Sequence, residues 1–303
     1  MIFSENMKQF MLIALTLIIF TSIPMSFADS QRNEKLEFAG TLEETLGHFW
    51  ALELNLEDNN SKLALVHATH PIAELYDTMS KHLEDNSEFN QKLETTLMEL
   101  KDKTSTDVTE SQAKLAIDDA KMIIQEAREI VVGKELSGEE EFKIQLINGL
   151  LETSKVEYKE AVEDGIIVEV AEFQDGSAFV WQSQQIFSTI EDNIEPMDSD
   201  RINEYFGLVW TGFENQEDPE IVENYIDLVI YEFEELSGIQ SESSDHEDEY
   251  LVGLSPLKQL KEGVEPDEIQ CKTSHSLIFK SSGDPACVKN SSVQKLVSYG
   301  WTQ

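Results

Sequence analysis

Positive charge is scarce in this chain. Its 303 residues carry 22 Lys and Arg against 60 Asp and Glu, for a formal charge of −38. Phosphate binding needs clustered cations, so nucleic acid is excluded as a partner. Docking on an anionic membrane surface is excluded for the same reason. The balance favours cations, basic partners or salty surroundings. Cysteine is almost absent, with Cys271 and Cys287 alone, both near the C-terminus. A Gly-rich phosphate loop, a Gly-x-Ser-x-Gly elbow and a nucleophilic cysteine are all missing. Carboxylates are too abundant for any pair to stand out as an acid–base dyad, and most belong to solvated helix faces. No enzyme is expected. Hydrophobic residues still make up 40 %, enough to build a sizeable core.

Residues 1–28 read as a secretory signal. Lys8 and the amino terminus give a positive start, and Phe10–Phe20 is an apolar run too short to span a bilayer comfortably. Ser26-Phe27-Ala28 then offers small residues where a signal peptidase reads. The other reading of this leader is an uncleaved anchor. Cleavage removes one lysine and one glutamate and leaves the charge unchanged. No later stretch is apolar enough to insert in a membrane, so a secreted or cell-surface protein is expected. In an exported chain an even pair of cysteines reads as a disulfide, here Cys271–Cys287. Asn59-Asn60-Ser61 and Asn290-Ser291-Ser292 are possible glycosylation sequons.

The fold class expected is mainly α: two repeated four-helix up-down bundles, then a small disulfide-stapled α+β module. Ala113, Ala116, Ile117, Ala120, Ile123, Ile124, Ala127, Ile130 and Val131 recur at three and four residues, which makes one apolar stripe. Thr41 with Glu44, Thr109 with Gln112 and Ser137 with Glu140 have capping-box spacing. Asp218-Pro219 reads as a cap followed by a first-turn proline. Gly133, Gly165 and Gly238 mark stops. Eight helices follow, near 41–56, 61–83, 87–103, 109–132, 138–164, 166–194, 199–214 and 219–237, with no strand between them. They fall into repeats of about 41–133 and 138–238. Leu42-Glu43-Glu44-Thr45 corresponds to Leu150-Leu151-Glu152-Thr153, and His67 and His70 fall opposite Glu172 and Asp175. The acidic run 239–250 reads as an extended linker. Beyond it, in 251–303, Leu277–Lys280 and Ala286–Lys289 read as a β-hairpin before a last short helix.

Ser255-Pro-Leu-Lys-Gln259, Gly263-Val264, Cys271-Lys272, Ala286-Cys287-Val288, Lys295-Leu296 and Gly300-Trp301 carry a resemblance. The last fifty residues resemble a module of exported proteins of ammonia-oxidising archaea, which implies an archaeal surface protein and no activity. Tyr158-Lys-Glu-Ala161, Asp164-Gly165, Glu172-Phe-Gln-Asp175 and Ala178-Phe179-Val180 carry a second. This part looks like the extracytoplasmic helical domain of iron-permease and imelysin-type proteins. The resemblance implies a metal-handling bundle. The permease's intramembrane glutamate motif is absent, so transport itself is not implied.

One constellation carries chemistry. Glu44 and His48 are four apart on the first helix, hence on one face. His67, His70 and Glu74 share a face of the second. A short turn makes the two helices antiparallel neighbours, with His48 and His67 at similar heights. Imidazoles and carboxylates projecting inward from facing helices are how bundles build metal sites. His48, His67, His70, Glu44 and Glu74 are therefore the candidate ligands, suited to copper, zinc or iron. Pro71 is placed to bend the second helix beside His70. The plain alternatives are a half-buried, singly hydrogen-bonded His48 and a His70 that caps a helix break. Glu172 and Asp175 would form a separate, all-oxygen site in the second repeat, or serve structure alone. Phe49, Trp50, Phe179, Trp181, Phe206 and Trp210 read as core and inter-bundle packing. The function expected is an exported acidic protein that binds or carries a transition metal. The competing reading is a cell-surface scaffold that holds a protein or cell-envelope partner without metal.

Overall fold

The computed structural model describes residues 27–104, 110–237, 256–261, 264–271, 275–280, 283–290, 293–298 and 300–302. Nearly all of the leader, and the whole of the acidic run 239–250, lie outside these residues. Compactness separates Met1–Glu34 from Lys35–Gln303. All packing described below lies within the latter.

Helix α1 spans Phe27–Glu57, starting well before the expected position near 41. Thr41 does not cap it. Its Oγ1 donates back to the Glu37 carbonyl at 3.0 Å, as a mid-helix hydroxyl does. The buried stripe Phe38, Leu42, Thr45, Phe49 and Leu52 runs straight through. Asn59, at φ +58, helps turn the chain into α2, Ser61–His70, whose first turn is capped by the Asn60 side chain. The α-helix then gives way to a π-turn over Pro71–Leu75, followed by α3, Tyr76–Lys81. Proline lacks the N–H and crowds the carbonyl four residues back, so the ladder widens here instead of breaking. Helices α4, Ser87–Thr104, and α5, Glu110–Val131, complete the first set. The α5 stripe is buried from Ala113 to Ala127, whereas Ile130 is exposed.

The second set begins after a short α6, Lys134–Gly138. Helix α7 is Glu140–Ala161, with Glu139 at its N-cap. The expected Ser137 cap fails, because Ser137 ends up inside α6. A two-residue hairpin interrupts what the sequence reads as continuous helix. Strand β1, Val162–Glu163, pairs antiparallel with β2, Ile166–Ile167. The turn is Asp164-Gly165 at φ +51 and +74, the left-handed pair that an Asp-Gly hairpin requires. Gly165 is thus a turn glycine and not a helix stop. Helix α8, Val170–Ser188, packs back along α7. Helix α9, Pro196–Glu214, starts on its proline, and α10, Pro219–Ser237, is capped by Asp218, whose carboxylate accepts from the Glu220 N–H at 3.1 Å. At Gly212 a Cβ would sit 2.8 Å from the Val222 side chain, so α9 and α10 approach closely there.

The C-terminal residues form α11, Pro256–Lys261, the antiparallel strands β3, His275–Phe279, and β4, Pro285–Lys289, and α12, Val293–Ser298. Cys271 and Cys287 are joined, with Cα atoms 5.5 Å apart. Ile278, Ala286, Val288, Leu296 and Trp301 continue the helical core. Lys280 reaches Glu204 on α9 at 2.7 Å and lies over the Tyr205 ring. Lys295 reaches Asp218 at 2.7 Å. The bridge closes a loop with 16 residues of separation, which in the chain-entropy model is worth about 3 kcal/mol. A Cys271→Ala/Cys287→Ala chain is expected to lose about that much in denaturant unfolding while keeping its far-ultraviolet helical signal. An unchanged unfolding midpoint would count against the staple.

Candidate metal centre

The three early histidines meet in one space. His48 comes from the middle of α1, and His67 and His70 from the last turn of α2. Their ring centroids are 5.0 Å apart for His48–His70, 5.8 Å for His67–His70 and 6.2 Å for His48–His67. Between them stands Asp175 of α8, expected from the sequence in a separate all-oxygen site or in a purely structural role. Its Oδ1 lies 2.7 Å from His48 Nδ1 and 3.0 Å from His67 Nδ1, and its Oδ2 lies 3.1 Å from His70 Nδ1. One ligand atom from each of the four residues falls within 4.8 Å of all the others. Among the described residues it is the one group of its kind.

Small residues deliver these side chains. At Gly47 a Cβ would lie 2.9 Å from the Phe179 ring, so α1 crosses closely over α8. The Phe179 ring in turn stands edge-on to His48, with centroids 5.4 Å apart. At Gly176 a Cβ would meet the Ser154 carbonyl and the Tyr158 nitrogen of α7, each at 3.3 Å. Helix α8 is therefore pressed against α7 right beside Asp175, and the Ser154 hydroxyl fixes it further by donating to the Gly176 carbonyl at 2.8 Å. Trp50 and Trp181 stack at 5.1 Å across the same crossing. The π-turn beginning at Pro71 ends the helix just after His70.

The interior is closed to solvent on one side. His48, His67 and Asp175 are 3 %, 0 % and 2 % exposed, and His70 and Glu74 form the solvent side. His67 Nδ1 is hydrogen-bonded to Asp175, but His48 Nδ1 and His70 Nδ1 are not. They lie 2.7 and 3.1 Å from the carboxylate. Buried ring nitrogens are rarely left so. Three buried ring nitrogens aimed into a shared space beside a carboxylate are what a cation would take up once the rings are neutral, so the residues present fit a metal ion. Three imidazoles and one carboxylate suit zinc, iron(II) or copper(II) and are poor for calcium or magnesium.

Charge around the centre is tuned by burial and by neighbours. Burial works to raise the Asp175 carboxyl, yet the charge on His48 and the contacts of all three imidazoles hold it well below the usual range. For His70, burial opposes the charged form, but Asp175, Glu74 and Glu172 outweigh it and raise its pKa. Glu44 does not touch the imidazoles directly; Thr153 donates to it at 3.3 Å. Burial pushes its carboxyl up to about 7, with the Thr153 hydroxyl pulling against this and the charges of Asp175 and Glu74 adding to it. Glu74 lies 4.0 Å from His70 Nε2. Glu157, beside Gly176, is driven up to about 9 by burial, by its hydrogen bond with Glu172 and by the charges of Asp175, Glu172 and Glu160. Of the other histidines described, His82 packs on Phe38 and His275 lies in β3.

Sequence reasoning missed Asp175 as a partner of the histidines, and it missed Gln174, whose Oε1 is 2.8 Å from His67 Nε2. The available signal was the expected repeat, which set Glu172 and Asp175 opposite His67 and His70.

Residues 133–240 match the model of the iron permease-associated 4-helix bundle domain. That stretch holds α7–α10 and so includes Glu157, Glu172, Gln174 and Asp175, while the three histidines lie outside it. No curated protein and no solved structure matches the chain.

Proposed function

We propose that the chain binds a transition-metal ion, iron foremost, on the outer side of a cell membrane and carries or presents it without catalysing a reaction. The observation behind this reading is the buried convergence of His48, His67 and His70 on Asp175, with two ring nitrogens left without hydrogen bonds. In this reading those four side chains are the ligands. Glu74 stands at the mouth, and Glu44 lies behind His48 as a carboxylate that orients the site or adjusts its charge. The match to an iron permease-associated domain supports iron over zinc or copper. A permease-type membrane partner would fit the same match. The apolar leader supports export, as does the likeness of the last fifty residues to modules of exported archaeal proteins.

Ligand linkage provides the test. Chelator-treated protein given iron(II) under anaerobic conditions, or zinc, at a hundredfold its dissociation constant should gain about 2.7 kcal/mol. For a domain of this size that is roughly 5–10 °C in Tm. Magnesium should give no comparable shift. If no transition metal moves the midpoint, the metal reading fails and the metal-free scaffold becomes the better account.

A further inference from the structure

The amide pair behind His67 decides which of its nitrogens faces the ion. A main-chain carbonyl only accepts, and the Ala51 carbonyl lies 2.8 Å from the side-chain amide of Asn55. The Asn55 atom there is therefore its nitrogen, Nδ2. The same Nδ2 lies 2.9 Å from Gln174, so the Gln174 atom facing it must be an oxygen, Oε1. The reverse contact agrees, with Gln174 Nε2 facing Asn55 Oδ1 at 3.4 Å. Gln174 Oε1 also lies 2.8 Å from His67 Nε2. An amide oxygen cannot donate, so His67 Nε2 carries the hydrogen. The Asp175 carboxylate only accepts as well, so Nδ1, 3.0 Å from its Oδ1, also donates in the metal-free structure. An imidazole that takes up an ion keeps one N–H. With the Nε2 hydrogen held by Gln174, the nitrogen freed for the ion is Nδ1, the one that faces Asp175, as Nδ1 does in His48 and His70.

We infer that Asn55 and Gln174 form a relay from the Ala51 carbonyl that locks His67 as an Nδ1 ligand with Nε2 protonated. The inference rests on the metal reading above. Both amides are positioning residues and neither touches the ion. Asn55 is almost fully buried, and its orientation is set by backbone, so the relay is rigid. Without it, His67 would be free to give up the Nε2 hydrogen instead and keep the one on Nδ1, which would offer the ion nothing on the side of Asp175. Partners of this kind around metal-bound histidines are commonly worth about 10–100-fold in affinity.

The test uses the full chain, labelled with 15N at histidine and loaded with zinc. A long-range proton–nitrogen spectrum is expected to show His67 bound through Nδ1, with a slowly exchanging proton on Nε2. Gln174→Glu keeps an oxygen acceptor at the same place and should retain both zinc affinity and that proton. Gln174→Leu removes the acceptor and should weaken zinc about 10–100-fold, with loss of the protected Nε2 proton. Two results overturn the relay while leaving the metal reading intact. One is wild-type His67 bound through Nε2, and the other is a Gln174→Leu chain equal to wild type. The wild-type spectrum decides even if Gln174→Leu fails to fold. A wild-type chain that takes up no zinc overturns both.

Discussion

Asp175→Ala is expected to abolish stoichiometric metal binding and to destabilise the metal-free protein as well. Asp175 is the one side chain that all three imidazoles approach, and it is buried with them. Removing it takes away the anionic ligand and strands His48, His67 and His70 in a largely buried space. Breaking a buried charged set by deleting one partner costs about 3–5 kcal/mol, or roughly 6–20 °C in Tm for a domain of this size. His67→Ala should differ in kind. It too should eliminate metal binding, measured by calorimetric titration with zinc, but it leaves Asp175 still facing two imidazoles and the helical content intact. An Asp175→Ala chain that still binds zinc with unit stoichiometry would refute the assignment of this centre.

The pH dependence has a definite sign. Metal requires neutral imidazole, and the pKa of His70 is raised above its ordinary 6.5 by Asp175, Glu74 and Glu172. Protons therefore begin to compete above pH 6.5, not below it. The metal-free protein moves the other way. A histidine whose folded pKa exceeds its unfolded value adds stability that is complete below the unfolded pKa and is lost as pH rises through the folded one. On acidification from neutral pH the metal-bound form loses its advantage while the metal-free form gains. The Tm difference between the two should shrink from both sides.

Much of this was legible in residues. Most of the helices follow from apolar stripes such as Ala113–Ala127 and from punctuation such as Asp218-Pro219. The pairing of His48 with His67 and His70 follows from helix spacing across one short turn. What was not legible depended on tertiary contact. Thr41 sits in a capping-box pattern, but the Phe38–Leu42–Thr45 stripe is worth more buried than a cap is worth formed, so α1 runs through it. Asp164-Gly165 carries a hairpin signal that the surrounding helical periodicity concealed. Asp175 is 105 residues from His70, and no local rule brings them together. Only the packing of one four-helix set against the other does, through Gly47 and Gly176.

Away from the centre, the largest single effect is expected at Arg201. It is buried on α9, with its guanidinium 2.6 Å from Asp198 Oδ1 one turn earlier and 2.8 Å from Glu232 Oε2 on α10. Glu232 is only 3 % exposed. The arrangement ties α9 to α10 through charge beside apolar contacts such as Phe206 with Phe233 and Gly212 with Val222. Arg201→Met preserves much of the volume but removes the cation that Asp198 and Glu232 share, and should cost about 3–5 kcal/mol. Metal affinity should be unchanged, because α9 contributes no side chain to the centre. The double change Arg201→Met/Glu232→Leu should recover most of the loss, since a buried ion pair is repaid only in part for its desolvation and a packed apolar pair does nearly as well. Denaturant unfolding of the three chains measures this as a double-mutant cycle. A single-variant loss below about 1 kcal/mol, the scale of an exposed pair, would mean that Arg201 and Glu232 are effectively solvated and that the helices are held by their apolar faces alone.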